Sequence, residues 1–102
     1  MARIIQNTVL STPVKVGGES ADQRINTLTI CNTETSAAVS VDLYLEDRGD
    51  STSKTYILNN TIIPNGATLM LEGSDILYSY DDYDLYIVES TGGSRSVSII
   101  IN

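Results

Sequence analysis

Apolar and polar residues alternate through much of the chain, most clearly from Ala37 to Glu46. Val39, Val41, Leu43 and Leu45 fall on one parity, and Ser40, Asp42, Tyr44 and Glu46 on the other. A strand sends successive side chains to opposite faces, so this spacing predicts a strand with one dry and one wet face. A helix would scatter the same apolar residues around its circumference. The period recurs in Arg3 to Leu10, with Ile5 and Val9 on one face, and in Arg24 to Cys31, with Leu28 and Ile30. Thr55 to Leu58 is a further strand, which Thr61 to Ile63 continues. Ala67 to Glu72, Tyr83 to Glu89 and Arg95 to Asn102 pair Leu69 with Leu71, Leu85 with Ile87, and Val97 with Ile99 and Ile101. Pro13 to Val16 reads as a short edge strand, because proline is tolerated at strand starts and sheet edges.

The connections carry turn chemistry. Pro64-Asn65-Gly66 supplies a fixed φ followed by two residues that tolerate positive φ. Thr91-Gly92-Gly93-Ser94 reads as a tight hairpin loop. Asn32 to Ser36 links two strands, and Asp47 to Ser53 reads as a longer polar loop. No segment has helical periodicity. About seven to eight short strands at this spacing predict an all-β fold, an antiparallel β-sandwich of jelly-roll-like or Ig-like topology, filling residues 1–102 as one domain.

Composition narrows the function. The chain has 102 residues, no His, Trp or Phe, and six tyrosines as its whole aromatic complement. Lys and Arg number 6 against 13 Asp and Glu, a net charge of -7. Nucleic-acid binding needs clustered cations to displace counterions, and here they are scattered along the sequence. The same negative charge is repelled by an anionic membrane surface. Cys31 is the single cysteine, so an internal disulfide is excluded, which fits assembly in a reducing cytoplasm. The first residues lack the long apolar core of a signal peptide.

Catalytic constellations are poorly represented. Without histidine, the Ser-His-Asp and Cys-His mechanisms lack the imidazole that takes up and returns a proton. Cys31 ends an apolar strand and reads as a small core residue. Paired carboxylates can hydrolyse a glycosidic bond, but short strands in so small a chain rarely shape a sugar cleft by themselves. The segment Asp81-Asp82-Tyr83-Asp84 lacks the spacing and turn glycine of an EF-hand loop, and a solvated acidic turn describes it better. The expectation is a non-enzymatic protein with no catalytic residue, metal or cofactor. Arg48-Gly49-Asp50 spells an integrin-binding tripeptide, for which an ordinary exposed loop is the plainer account.

Tyrosine density is more informative. Tyr78, Tyr80, Tyr83 and Tyr86 fall within nine residues, and Tyr44 sits on the wet face of its strand. Tyrosine offers large contact area at low entropic cost and a hydroxyl that tolerates water, which suits interfaces and sugars alike. Tyr44, Asp75, Tyr78, Tyr80, Asp81, Asp82, Tyr83 and Asp84 are therefore candidate partner contacts, although such rings can equally fill core positions. The segment Met1 to Leu10, with Arg3, Ile4 and Ile5, is a candidate N-terminal arm for pairing with a neighbouring molecule. The alternative is that it pairs within its own sandwich.

One stretch resembles a family. Leu28-Thr29-Ile30-Cys31-Asn32-Thr33, then Ser36 to Leu45 with its "AVSVDLYL" run, and Tyr56 to Leu71 with its "IPNGATLML" run, resemble small β-sandwich virion proteins of tailed bacteriophages, especially those of marine and cyanobacterial phages. The resemblance spans roughly residues 25 to 72. It implies a structural virion protein that decorates the capsid or belongs to the neck or tail and is assembled in the host cytoplasm. It further implies contacts with other virion proteins and with copies of itself, and motifs that mark turns and core faces. The acidic, tyrosine-rich segment from Asp75 to Asp84 has no counterpart in that pattern. A carbohydrate-binding or host-attachment module using that segment is the alternative, and a small hydrolase is the third reading.

Overall fold

The computed structural model describes residues 3–9, 11–17, 25–73, 82–91, 93 and 95–102, the first of these segments by its backbone. Among the described residues there are eight strands: β1 Arg3–Val9, β2 Val14–Gly17, β3 Thr27–Asn32, β4 Val39–Asp47, β5 Asp50–Ile63, β6 Thr68–Glu72, β7 Tyr83–Glu89 and β8 Ser96–Ile101. They form two four-stranded antiparallel sheets. Sheet I has the order β1-β8-β3-β6, and sheet II the order β2-β7-β4-β5.

This order decides between the two sandwich topologies. β1 pairs with β8, β2 with β7, β3 with β6 and β4 with β5, as in one long hairpin wrapped on itself. β8 also pairs with β3, and β7 with β4, which closes the two sheets. The result is an eight-stranded jelly roll. In an immunoglobulin-type sandwich the first two strands would pair with each other.

The alternation places the core as the sequence predicts. Leu28, Ile30, Val97, Ile99 and Ile101 of sheet I join Val16, Val39, Val41, Leu43, Ile63, Leu85 and Ile87 of sheet II in one buried cluster. Leu45, Leu69 and Leu71, also predicted to be buried, are half-buried and pack against its rim. β2 lies at the edge of sheet II, where Pro13 precedes it without a hydrogen-bonding penalty.

Three local expectations are corrected. The predicted polar loop Asp47 to Ser53 is a two-residue hairpin turn, Arg48-Gly49, closed by the pairing of Asp47 with Asp50. The Gly49 N–H donates to the Asp47 carboxylate at 2.8 Å, which caps the turn. As expected, Thr61 to Ile63 continues the strand of Thr55 to Leu58; both belong to β5, which begins at Asp50 and carries register shifts against β4. In β1 a register shift between Ile5 and Thr8 sets Ile5 opposite buried Ile99 but Val9 opposite Ser96, so Ile5 and Val9 do not share a register parity. Cys31 is half-buried, because the alternation directs Ile30 and Asn32 inward and Cys31 outward.

Asn32 goes into the interior because its amide is satisfied there. It is 1% exposed. Its Nδ2 donates to the carbonyls of Ala37 and Ile63, both at 2.9 Å, and its Oδ1 accepts the Glu34 N–H at 2.9 Å. Its backbone N–H donates to Ala67 O at 3.0 Å, and its carbonyl accepts the Gly66 N–H at 3.3 Å. The fold therefore joins the "CNT" motif to the "IPNGA" motif, more than thirty residues along the chain. The Pro64 to Ala67 turn closes with Ala67 N–H donating to Pro64 O at 3.0 Å, and Gly66 takes the positive φ of 75° that its third position requires.

Candidate functional site

The outer face of sheet II carries a row of aromatic side chains. Cross-strand register sets Lys15 of β2 beside Tyr86 of β7, Tyr86 beside Tyr44 of β4, and Tyr44 beside Tyr56 of β5. Their inward neighbours Val14, Leu43, Leu85 and Ile87 belong to the core or pack against it, so the alternation sends all four outward. Tyr44 and Tyr86 stack with ring centroids 5.6 Å apart and planes 22° apart. Tyr44 and Tyr56 have the same separation at 45°. The Lys54 ammonium lies 5.1 Å from the Tyr44 ring centre, and that of Lys15 lies 5.9 Å from the Tyr86 ring centre. Each is within reach of the negative ring face.

The row explains Tyr44. On a wet face it was expected to be exposed, yet it is only 4% exposed, because Tyr86, Tyr56 and Lys54 cover it from three sides. Burial raises its phenol pKa above the ordinary value, and the nearby negative charge of Glu46 acts in the same direction. Tyr56, at the outer strand of the sheet, remains 48% exposed. The ring surface open to a partner is thus at the β5 end of the row.

A charged cluster adjoins it. The Asp84 carboxylate lies 3.3 Å from Lys15 Nζ and 2.8 Å from Arg48 Nε. Arg48 also donates from its guanidinium to Tyr83 O at 3.2 Å and from its backbone to Asp82 O at 3.0 Å. The β4–β5 hairpin is thereby tied to the start of β7. Both cations are about a third exposed, so solvent screens the pairs and their role is chiefly to fix geometry. Within Arg48-Gly49-Asp50, Asp50 accepts from both the backbone and the hydroxyl of Thr52. The charged side chains of the tripeptide are engaged inside their own fold.

The candidate contacts therefore separate. Tyr44 is covered and Asp84 is buried and ion-paired, so neither presents the free surface expected of it. Asp82 is exposed and Tyr83 half-buried beside the hairpin. Asp75, Tyr78, Tyr80 and Asp81 lie outside the described residues. Arg3, Ile4 and Ile5 belong to β1, which hydrogen-bonds to β8 of its own sheet. Tyr56, Lys15 and Lys54 were not singled out from the sequence. Their signal, an outward parity shared with Tyr44, depends on a register that local sequence does not encode. Three of the six cations, Lys15, Arg48 and Lys54, meet around this row, although they are scattered along the chain. Among the described residues no group of three or more carboxylate or thiol side chains is arranged to hold a metal ion.

Comparisons of the chain with family models, curated proteins and solved structures give no match.

Proposed function

We propose that the protein is a non-enzymatic structural component of a tailed-phage virion, with decoration of the capsid surface as its role ahead of a place in the neck or tail. The observation that carries this reading is the joint at Asn32. The stretches on which the virion-protein resemblance rests meet there through Asn32, and a structural use of those motifs is in keeping with the reading. The jelly roll is an architecture shared by capsid proteins and lectins, and by itself it is compatible with both. Partners are other virion proteins and copies of the chain, and assembly takes place in the host cytoplasm.

Protein identification across purified particles, separated heads and separated tails tests the proposal. Recovery in stoichiometric amounts with heads supports decoration, and recovery with tails supports the neck or tail assignment. Absence from all three fractions rejects a virion role. A hydrolytic activity that disappears in an Asp81→Asn, Asp82→Asn variant would reject the non-enzymatic reading.

The tyrosine row favours a second reading, a carbohydrate-binding or host-attachment module. Tyr56 offers a half-exposed ring for stacking on a sugar, although Tyr44 is covered and the rings do not form one coplanar platform. Glycan binding by the isolated protein that is lost in Tyr56→Ala, with an unchanged circular-dichroism spectrum, would favour this reading.

A further inference from the structure

Each sheet has two edges, and the four edge strands are not alike. β1 carries a register shift against β8 between Ile5 and Thr8. β2 follows Pro13, contains Lys15 and has a register shift against β7. β5 contains Lys54 and is bulged against β4 at Asn59 and Asn60. Bulges, lysines and prolines are the devices by which a sheet edge resists a further strand. β6 has none of them. It contains no Pro, Lys or Arg, and its register with β3 runs unbroken from Glu72 opposite Thr27 to Thr68 opposite Cys31.

The direction of its backbone groups follows from the ladder. The Asn32 N–H donates to Ala67 O at 3.0 Å, and the Gly73 N–H donates to Asn26 O. Each of these pairs lies directly opposite in the β3–β6 register, one residue beyond its ends. Bonded pairs alternate along an antiparallel ladder, so Leu69 and Leu71 direct their N–H and C=O to β3, while Thr68 and Met70 direct theirs to the other side. On the opposite flank of β3, Thr27 exchanges two bonds of 2.9 Å with Asn102, as this parity requires. β6 is the last strand of sheet I, and among the described residues no strand pairs with its outer side. Leu69 and Leu71 are half-buried at the rim of the core, and Met70 is 62% exposed on the outer face.

We propose that β6 pairs antiparallel with β6 of a second copy about a twofold axis at Met70, joining the two four-stranded sheets into one. The strand itself selects that occupant. Its exposed and half-buried positions read the same in both directions, with Met70 at the centre. An antiparallel copy centred there overlaps all five residues and keeps every parity. The two Met70 residues exchange N–H to C=O bonds at the axis. Leu69 of each copy falls opposite Leu71 of the other on the core side, in the closely spaced pairs of the ladder, which continues the apolar core across the junction. Glu72 is the strand's one charge. It falls opposite Thr68 of the other copy, and the two carboxylates are separated by about 13 Å along the strands. That is beyond the about 8 Å over which exposed charges act on each other at physiological salt. Five paired residues make a small contact beside the about 800 Å² per partner of a standard interface, so the dimer is weak and is populated at high protein concentration. The pairing rests on β6 and is independent of the virion reading.

Amide hydrogen exchange of the full chain, followed by NMR at about 50 μM and about 1 mM alongside sedimentation velocity, tests it. The expected result is a reversible monomer–dimer equilibrium. The Met70 amide exchanges fast in the dilute sample and several times more slowly in the concentrated one, while those of Leu69 and Leu71 are slow in both. Met70→Pro removes the outward N–H and leaves the β3 ladder whole. It is expected to keep the β-type circular-dichroism spectrum and to raise the dissociation constant about tenfold or more. Met70→Lys sets two ammonium groups side by side at the axis and is expected to act likewise. Ile100→Lys, on the same face but two strands from the edge, is expected to leave association unchanged. A chain that stays monomeric at about 1 mM overturns the proposal. So does a Met70 amide already protected in the dilute monomer, since another segment then covers the edge. Association that survives both Met70 variants, or that is lost in Ile100→Lys, overturns it as well. Recovery or absence of the protein in virion fractions bears on the proposed function and leaves these outcomes standing.

Discussion

Asn32 shows how one residue can determine a fold's closure. Its amide makes three hydrogen bonds in an environment from which water is excluded, to the β3–β4 connection and to the end of β5. Asn32→Ala would strand the carbonyls of Ala37 and Ile63 and the N–H of Glu34. The expected loss is about 3 kcal/mol of unfolding free energy, read as a lower urea midpoint. Glu34 and Asp50 act at the surface. Glu34 accepts from the backbone and the hydroxyl of Ser96, and Asp50 from the hydroxyl and the backbone of Thr52, which holds both carboxyls below their ordinary pKa values. A carboxyl whose pKa is depressed in the folded state contributes stability above its unfolded pKa, and that contribution is lost as pH falls through the folded one. Stability is therefore expected to fall as pH drops below about 4. The double variant Glu34→Gln, Asp50→Asn should show a shallower acid slope in urea titrations at graded pH.

β5 departs from plain strand behaviour for a local reason. β5 meets β4 with Val41 opposite Thr61 but Leu43 opposite Leu58, leaving Asn59 and Asn60 against Asp42 alone. Asn60 takes a φ of 53°, and its N–H donates to the Asp42 carboxylate at 2.8 Å. Asparagine tolerates this left-handed conformation and a β-branched residue does not. Asn60→Val is expected to cost about 1–2 kcal/mol, whereas Asn60→Gly should be nearly neutral. Such a bulge also bends the long outer strand away from regular pairing with a neighbour. β1 is an edge strand hydrogen-bonded to β8. Deleting Met1 to Asn7 is expected to abolish folding, as judged by loss of the β-type circular-dichroism spectrum, because the β8 edge and the Ile99 position lose their cover. A folded truncation that no longer assembles would instead identify the segment as an arm.

At the scale of the whole molecule, the single core drawn from both sheets makes unfolding a collective event. Val41→Asp sets a carboxylate into that core, between Val39 and Leu43 of its own strand and opposite the buried Glu89 of β7. An unpaired buried charge costs several kcal/mol against a total stability of roughly 5–15, so the domain is expected to be unfolded at 25 °C by circular dichroism. The same scale governs surface character. Wrapping one hairpin into two sheets gathers Tyr44, Tyr56 and Tyr86 with Lys15 and Lys54 on sheet II, a grouping that composition alone does not express.

What the sequence by itself determined is local and periodic. Alternation located the strands and most of the core because the two-residue period of a strand is written directly into which side chains are apolar. Pro64-Asn65-Gly66 announced its turn because positive φ restricts residue choice. Cys31 was expected in the core and Asn32 in the link after the strand, whereas β3 runs to Asn32 and its parity turns Asn32 inward, where three hydrogen bonds offset the burial of its amide. The tertiary structure alone decided the jelly-roll strand order, the long β5, the engagement of Arg48 and Asp84, and the alignment of Tyr86, Tyr44 and Tyr56. Each depends on which distant strands become neighbours and in what register. Non-local closure of the two sheets sets that register, and no short window of sequence contains it.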